Sequence, residues 1–411
     1  MAVLIPLLMQ LESLPKYDPC LNLTGGPLNV FASLLIAFLV AAVPRYVAAA
    51  DEKWYDRIEP TGSFRVRFDS ARMEGEFEDG KRDRWRFRLR AGANYNFAND
   101  WLQVGFQLRS GNPDNPVSDN KTIGEGLSTD DFSLGEVWAH FVATKEFDLR
   151  LGRVDPGEFW ESDDMQWDSD VTLEGAVQRL EFARAGPLLG HLGASFYQYA
   201  LEQGESDRAW LLGAQVRPTM QFGANHQLAL GAAFNYYLNP QVLVDARLSG
   251  EMGGNAITNL LDENNQLVSD FRILTLSAIW DYAASENWPL KVSLFGHKNT
   301  GASDRVGTEN GYSGAETVAS NNDAAYFLRG SLGRFDTFKR LQVRYTYYYS
   351  EPDALVFAYA QSDTRRASNL DGHRIDVRVG MPARSFFHLT YYRTYTSLGE
   401  SPVYQSWFFD Y

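Results

Sequence analysis

The sequence predicts an all-β fold: a transmembrane antiparallel β-barrel of about 16 strands, with short periplasmic turns and long extracellular loops. Three observations predict it. Apolar and polar residues alternate with a period of two over long segments, connections alternate between short and long, and aromatic residues cluster near segment ends. Each feature is typical of strands with one face toward lipid and the other toward an interior.

The first 50 residues predict a leader that precedes a barrel domain at residues 51–411. The apolar segment 31–43 has the length of a secretory signal core, and Ala48, Ala49 and Ala50 after it fit a cleavage site. A membrane anchor is the alternative, although the segment is shorter than the roughly 20 apolar residues of a spanning helix. Residues 1–30 carry only Lys16 as a cation, so we expect translation to begin near Leu28.

The strand pattern is clearest at residues 84–97, where apolar side chains from Trp85 to Phe97 alternate with arginine, glycine and asparagine. Globular strands usually span about 5–6 residues, whereas a tilted membrane strand needs about 9–11. Sixteen candidate strands follow this pattern, an even number as bacterial barrels require. They cover residues 62–70, 84–97, 101–110, 132–142, 147–153, 174–184, 192–199, 209–218, 226–238, 272–283, 289–298, 326–333, 341–350, 374–381, 386–396 and 402–411.

The connections support the same topology. Short ones lie at residues 98–100, 144–146, 186–190, 285–288 and 382–385, and long polar ones at 111–131, 154–173, 239–270, 299–323 and 351–371. Barrels of the outer membrane place tight turns on the periplasmic side and longer loops outside. Core packing of a soluble β protein is the alternative reading of the aromatic residues, but it would leave strand length and loop alternation unexplained.

The last segment predicts the cellular location. Val403, Gln405, Trp407, Phe409 and Tyr411 share one strand face. This pattern resembles the C-terminal strand by which the barrel-assembly machinery recognises its substrates. We therefore expect a protein of the Gram-negative outer membrane, surrounded by lipid and lipopolysaccharide.

Charge limits the function classes and singles out a basic stripe. The net charge of −14 argues against a nucleic-acid partner. A cation on the lipid face costs about 2–4 kcal/mol at mid-bilayer, so the arginines of the first strands must face the interior. The predicted pore-lining stripe consists of Arg65, Arg67, Arg84, Arg86, Arg88, Arg90 and Arg109.

An acidic loop at residues 154–173 is the predicted counterpart of the stripe. It is the third external loop if residues 62–70 form the first strand, and its acids are Asp155, Glu158, Glu161, Asp163, Asp164, Asp168 and Asp170. Our hypothesis is a constriction with arginines on the wall and carboxylates on an inserted loop, which creates a transverse field for anionic or dipolar solutes.

Two structural readings compete with this hypothesis. The arginines could form a ladder with Glu136, Asp148 and Glu181, and we give this equal weight. The acidic loop could be a solvated outer surface or a weak Ca²⁺ site at Asp168 and Asp170. No motif predicts a metal or cofactor, and Cys20, the only cysteine, lies in the leader.

Enzyme motifs are lacking in the sequence. The six histidines are scattered, and no nucleophile elbow, phosphate loop or zinc helix occurs. His140 with Glu136 is the best pair, and we interpret it as lumen lining. We therefore predict no enzyme, with a barrel hydrolase as the least favoured alternative.

Residues 149–182 resemble the putative-porin family of Gram-negative bacteria. The matching features are Gly152-Arg153, Phe159-Trp160, Trp167-Asp168-Ser169-Asp170 and Glu174-Gly175. The resemblance implies a barrel that forms a water-filled channel for passive diffusion of small hydrophilic solutes, and similarity to general porins suggests a homotrimer. A weaker similarity to alginate-export barrels leaves an exporter of an acidic polysaccharide as the alternative.

Overall fold

Sixteen long strands form a closed antiparallel barrel in the computed structural model, which describes residues 53–74, 80–97, 100–124, 132–158, 160–183, 189–205, 207–283, 285–309, 316–398 and 403–411. The predicted leader at residues 1–50 lies outside these residues. The barrel strands are β1 (Ile58–Glu74), β2 (Gly80–Asn96), β3 (Leu102–Arg109), β5 (Ser133–Val142), β6 (Phe147–Val154), β7 (Leu173–Ala183), β8 (Leu189–Gln203), β9 (Arg208–Phe222), β10 (His226–Leu238), β12 (Phe271–Tyr282), β13 (Leu290–Asn299), β16 (Ala324–Gly333), β17 (Leu341–Ser350), β18 (Leu370–Gly380), β19 (Phe386–Tyr395) and β20 (Val403–Asp410).

Each barrel strand pairs with its neighbour in the chain, and β20 pairs with β1 to close the sheet. The two-residue strand β4 (Lys121–Thr122) extends the sheet beside β2. The predicted fold class and strand count are thus confirmed. The predicted bounds were too short for β1, β8 and β9, because their polar ends beyond the bilayer weaken the alternation.

The alternation of the sequence becomes the two faces of the barrel. On β1, Phe64 is 64% exposed on the outer surface, whereas Arg67 is 4% and Asp69 0% exposed inside. On β20, Trp407 and Phe409 are exposed while Phe408 between them is buried. Apolar residues thus face the lipid and polar residues face the lumen. A shift of the strand register by one residue would turn every side chain to the wrong face.

Aromatic rings gather near both strand ends, as the sequence predicts. Tyr95 and Phe97 meet edge to face at 4.9 Å between centroids, close to the β2–β3 turn. At the opposite, external end, Tyr326 of β16 stacks on Tyr349 of β17 with 6.0 Å between ring centroids. Rings at such positions are suited to the lipid–water interface, where an apolar body meets a polar boundary.

The connections fall into a tight side and an elaborate side. The short connections lie with both barrel termini on the periplasmic side. Residues 98–99 and 186–188 of the predicted turns are outside the described residues. The external connections carry additional elements: α1 (Gln241–Ser249), β11 (Leu260–Leu261), β14 (Val306–Glu309), β15 (Thr317–Val318) and short 3₁₀ helices at Pro156–Glu158, Ala319–Asn321, Phe357–Tyr359 and Ser362–Thr364. A further 3₁₀ helix, Trp54–Arg57, precedes β1. In the part of the chain that the structure describes, no helix is both long and apolar enough to cross a membrane.

An apolar core lies between the external loops and the upper barrel wall. We name these loops L2 (residues 110–132), L3 (155–172), L5 (239–270) and L7 (351–369). Leu243 of L5, Phe357 of L7 and Met165 of L3 are all at most 1% exposed and belong to this core. Asn259 of L5 donates to the backbone oxygens of Pro352 and Leu355 at 2.6 and 2.8 Å. The loops therefore fold as one packed layer.

Candidate functional site

L3 crosses the barrel interior and touches the wall on several sides. Its acidic residues make the contacts, each with a different strand: Glu158 with Arg150 on β6, Glu161 with Arg217 on β9 at 3.0 Å, Asp163 with His297 on β13 at 2.6 Å, Asp164 with Arg329 on β16 and with Arg374 on β18 at 3.3 Å, and Asp170 with Arg88 on β2 at 2.9 Å. Because β2 and β13 are far apart in the sheet, L3 divides the lumen.

Aromatic packing fixes L3 against one side of the barrel. Trp160 stacks on Tyr197 of β8 with 3.9 Å between ring centroids, and Trp160 is only 5% exposed. The Tyr197 ring lies directly over Gly213 of β9, where a Cβ atom would come within 1.9 Å of it. The Tyr197 hydroxyl donates to Asn235 Oδ1 at 2.5 Å. These side chains thus narrow the lumen on this side.

A buried histidine holds the far end of L3. His297 Nε2 lies 2.6 Å from Asp163 Oδ2, and its Nδ1 lies 2.9 Å from the Thr275 hydroxyl. The side chains of His297 and Asp163 have no exposed area. This Thr–His–Asp chain resembles a nucleophile, base and acid in its order, but no substrate could reach it. We therefore assign it to loop attachment.

The predicted arginine stripe lies on the inner wall, and its carboxylate partners come from five places. Arg67 contacts Asp410 of β20 at 2.5 Å and Asp363 of L7 at 2.9 Å. Arg84 contacts Asp69 of β1 at 2.7 Å. Arg88 and Arg90 share Asp170 of L3, and Arg90 and Arg109 share Asp119 of L2. Arg86 donates to Ser118 and Arg65 to Asn120.

The proposed ladder partners were wrong. Asp148 contacts His140 at 3.2 Å and Arg179 at 2.9 Å, and Glu181 also contacts Arg179. Glu136 accepts from Trp138 at 3.2 Å rather than pairing with His140. These acids lie on β5–β7, where the strands carry their own cations. The stripe is instead neutralised by barrel closure and by loops, neither of which follows from strand periodicity.

The arginine stripe needs carboxylates from β20 and the loops because its own arginines lie opposite one another on β1 and β2. Arg65 pairs in register with Arg88, and Arg67 with Arg86. Like charges directly opposite on neighbouring strands are destabilising. Asp170 and Asp363 enter from the loops at this point, so they supply the counter-charge that lets four arginines share one patch.

Two neighbouring aspartates of L3 have opposite electrostatic settings. Burial, together with Asp170 and Asp363 nearby, raises the pKa of Asp168 well above its usual range. Burial also opposes ionisation of Asp170, but Arg88 and Arg90 outweigh it and hold the pKa of Asp170 far below its usual range. Asp168 accepts from the Ser362 and Asp170 amides at 2.9 Å each. These donors occupy oxygens that a Ca²⁺ ion would need.

The basic wall continues beyond the predicted stripe. Arg329 on β16, Arg344 on β17, and Arg374 and Arg378 on β18 also face the lumen. Barrel closure makes these strands near neighbours of β1, so the wall runs from β16 through β20 to β3. The sequence signal was present, since all four arginines alternate with outward apolar residues in predicted strands.

A polar cavity of about 470 Å³ follows this basic wall below L3. Seven arginines and five aspartates line it, an excess of two positive charges in a chain whose net charge is −14. Of the seven predicted loop acids, Asp164, Asp168 and Asp170 line the cavity. Glu158 and Glu161 border a second cavity of about 180 Å³ against β7–β9, Asp163 is buried at β13, and Asp155 accepts from the Gly157 amide within L3. The loop acids therefore do not form one face.

The local motif at the start of L3 has a geometric reason. Gly152 has φ of +123°, and a Cβ atom there would lie 2.2 Å from the Val137 backbone oxygen. Only glycine tolerates that conformation and that approach. Arg153 follows it and contacts Glu174 of β7 at 3.2 Å. Phe159 lies outside the described residues.

Comparisons with known proteins agree with this architecture. A family described as "Putative porin" matches residues 55–401. Among solved structures, OprB of Pseudomonas putida shares 10% identity at a TM-score of 0.50, over 86% of this chain and 93% of that one. OmpF of Salmonella typhi shares 11% identity at a TM-score of 0.49, over 88% and 99%. The outer-membrane channel DcaP of Acinetobacter baumannii shares 10% at 0.43, over 88% and 99%. No curated protein matches the sequence significantly.

The OprB likeness, at this low identity, supports the barrel fold alone, and the family match covers most of the described chain. Residues 55–401 include the wall, L3 and the cavity described above. The chain therefore belongs to the putative porin family, and it forms an outer-membrane channel for passive diffusion of small hydrophilic solutes.

Proposed function

We propose that the channel favours anionic and dipolar solutes over cations. The observation that carries this proposal is the cavity beside the β16–β3 wall, lined by seven arginines and five aspartates. On the opposite side, Trp160, Tyr197 and their neighbours narrow the lumen to the smaller cavity of about 180 Å³, so the larger opening for diffusing solutes lies along the basic wall. A water-filled passage with excess positive charge raises the local concentration of anions.

The geometry revises the original constriction hypothesis. Asp164 and Asp170 face the arginine wall but form ion pairs with it, so their charge is locally compensated. The selective field then comes from arginines without a carboxylate partner rather than from a wide gap between opposite charges. Arg65, which donates only to Asn120 among the described residues, is one of these.

Ion selectivity tests this proposal. The variant carrying Arg65→Gln and Arg88→Gln removes two cations from the cavity lining. In a planar bilayer under a salt gradient, we expect wild type to show an anion-selective reversal potential and the variant to move toward zero. Arg334→Gln is the matched control, because Arg334 pairs with Asp336 in the β16–β17 turn and does not line the cavity. An unchanged reversal potential in the double variant would reject the proposal.

The alternative functions receive less support. Export of an acidic polysaccharide would favour a basic tunnel over the full barrel height, but L3, L5 and L7 pack an apolar core across the outer half. A hydrolase would need an accessible nucleophile, and the Thr275–His297–Asp163 chain is buried. We therefore propose a channel without enzymatic activity, and assays on lipid and peptide substrates test this.

Processing and assembly remain proposals of their own. We propose that residues 1–50 are removed on export and that residues 51–411 are the barrel domain; N-terminal sequencing of precursor and mature protein tests both. The outward Trp407 and Phe409 of β20 support recognition by the barrel-assembly machinery, and in vitro insertion of a variant without them tests it. We also propose that the barrel contacts lipopolysaccharide and forms a homotrimer. Light scattering of the purified protein with its bound lipid measures the oligomeric state and the mass of the bound lipid.

A further inference from the structure

Two arginines of the cavity lack the ion pairs that their neighbours have. Among the residues that the structure describes, Arg344 and Arg378 have no carboxylate within ion-pair distance. Their Nε atoms are buried without a hydrogen-bond acceptor. Arg329 and Arg374 on the adjacent positions both contact Asp164. Among the described residues, Arg65 and Arg384 of the same lining also lack an ion pair, whereas Arg67, Arg88 and Arg374 each have one. The Arg378 guanidinium lies 5.1 Å from the Phe335 ring centroid, which is a contact without a counter-charge.

The two side chains share one face of the sheet near its periplasmic end. Arg344 is in register with Asp376 of β18, and Arg378 lies two residues farther along that strand. Diagonal neighbours of this kind are about 7–8 Å apart between backbones. Both line the same cavity as Arg65 of β1. Along the wall, β1 is three strand spacings, about 14 Å, from Arg378 on β18 and four spacings, about 19 Å, from Arg344 on β17.

The nearby carboxylates are already engaged. Asp376 Oδ1 accepts from Arg374 at 2.8 Å and lies 2.7 Å from His388 Nε2. Asp410 pairs with Arg67 at 2.5 Å. The second oxygen of Asp376, Oδ2, accepts no hydrogen bond from the described residues, but neither Arg344 nor Arg378 lies within ion-pair distance of it. The two guanidinium groups therefore face the cavity without a direct carboxylate contact.

Guanidinium groups that lack an ion pair at the edge of a polar cavity can bind anions from solution. An uncompensated charge in a restricted site is costly, and water alone compensates it incompletely. A guanidinium presents a planar fork of donors that matches the oxygens of phosphate or carboxylate. Two guanidinium groups on neighbouring strands, with a third cation farther along the same wall, suit a ligand with several oxygens and more than one negative charge.

We propose that Arg344 and Arg378, with Arg65 as a third contact, bind small oxyanions carrying two negative charges at the periplasmic end of the passage. Inorganic phosphate and short dicarboxylates share this chemistry. The inference rests on the proposed anion preference and deepens it, because it adds a saturable binding step to diffusion along the wall.

Block of chloride current by a competing oxyanion tests the site. Single-channel conductance is measured in potassium chloride while inorganic phosphate, or in a second arm succinate, is added to both sides. We expect saturable block in wild type, and the stronger arm identifies the preferred class. In Arg344→Gln with Arg378→Gln, the half-blocking concentration should rise at least tenfold. Arg334→Gln, in the neighbouring turn, should leave it unchanged.

A third variant separates binding from general electrostatics. Arg344→Lys with Arg378→Lys keeps both charges but loses the forks, so we expect block weaker than in wild type and stronger than in the glutamine variant. Heat-modifiable gel mobility checks that each barrel is folded, and calorimetric titration of the wild type with phosphate gives binding without flux.

The outcomes distinguish the two proposals. A wild-type channel with anion-selective reversal potential but no saturable block and no calorimetric binding would overturn the site alone. A cation-selective wild type would overturn the proposed function as well. Full block retained in the folded glutamine variant would also reject the assignment to Arg344 and Arg378.

Discussion

Asp170→Asn is the most direct test of how L3 sets the charge of the passage. Asp170 Oδ1 accepts from Arg88 at 2.9 Å and from Arg90 at 2.8 Å, and its other oxygen accepts the Asp119 amide at 3.1 Å. Asparagine has the same shape but only one acceptor oxygen, so the substitution removes the charge and also one acceptor, either for the two arginines or for the Asp119 amide. Two wall arginines then lose their shared carboxylate while remaining beside the cavity.

The size of the effect follows from Coulomb's law. For an ion about 8 Å from the removed charge, the interaction is about 0.5 kcal/mol in water. Anions gain this energy and cations lose it, so the permeability ratio changes by about 1 kcal/mol, or roughly fivefold. Screening at 0.1 M salt, where the Debye length is about 10 Å, reduces this to about twofold. We therefore expect a two- to fivefold increase in anion preference that fades at high salt.

Reversal potentials in planar bilayers at two salt concentrations measure this ratio. Asp336→Asn removes the same charge in the exposed β16–β17 turn and should have no effect. Loss of a buried ion-pair partner costs about 3–5 kcal/mol, so L3 should also become more mobile, seen as larger current noise. An unchanged ratio in a folded Asp170→Asn channel, or a shift toward cations, would show that L3 does not control the field.

Three further predictions concern the packing of the loops and the sheet. Trp160→Ala removes the ring stacked on Tyr197 and should destabilise L3 by about 3–5 kcal/mol. We expect faster limited proteolysis of L3, and an unaltered rate of cleavage would contradict the prediction. Gly213→Ala places a methyl group 1.9 Å from the Tyr197 ring. The temperature at which the variant barrel loses its folded gel mobility should therefore fall by several degrees, and an unchanged temperature would mean that the ring has room to move. Burial raises the pKa of Asp353 to about 6, so its contribution to loop stability is complete below its ordinary pKa of 3.8 and is lost as the pH rises through 6. Asp353→Asn should remove this pH dependence of backbone hydrogen exchange in L5 and L7, because an amide still reaches the Ser269 hydroxyl; persistence of the dependence would assign it to another group.

The strands could be predicted because the bilayer penalises every error in their pattern. A charge on the lipid face is so costly that Arg65, Arg67 and the arginines of β2 could point only inward, as they do. The same reasoning applied to β17 and β18 would have found Arg344 and Arg378. Asp410 could also have been paired with Arg67, since closure of an antiparallel barrel places its last strand beside its first.

The loop contacts could not be predicted in this way. Asp119 and Asp363 reach the stripe from L2 and L7, whose paths depend on packing between segments hundreds of residues apart. The insertion of L3 is what the similarity to sixteen-stranded general porins implies for a third external loop, but the partner of each acid cannot be predicted in this way. Asp163 reaches β13 while Asp170 reaches β2, and no periodicity assigns one acid to one wall.

The pair formed by Arg67 and Asp410 joins the two ends of the sheet. Without β20 docked on β1, Arg67 would lack Asp410 and would retain Asp363 of L7 as its counter-ion beside Arg86. Closure of the seam adds the second carboxylate, so the charge of Arg67 would be less well compensated in an open sheet than in the closed barrel. The ion pair between β1 and β20 therefore favours the closed barrel over an open, partly inserted sheet.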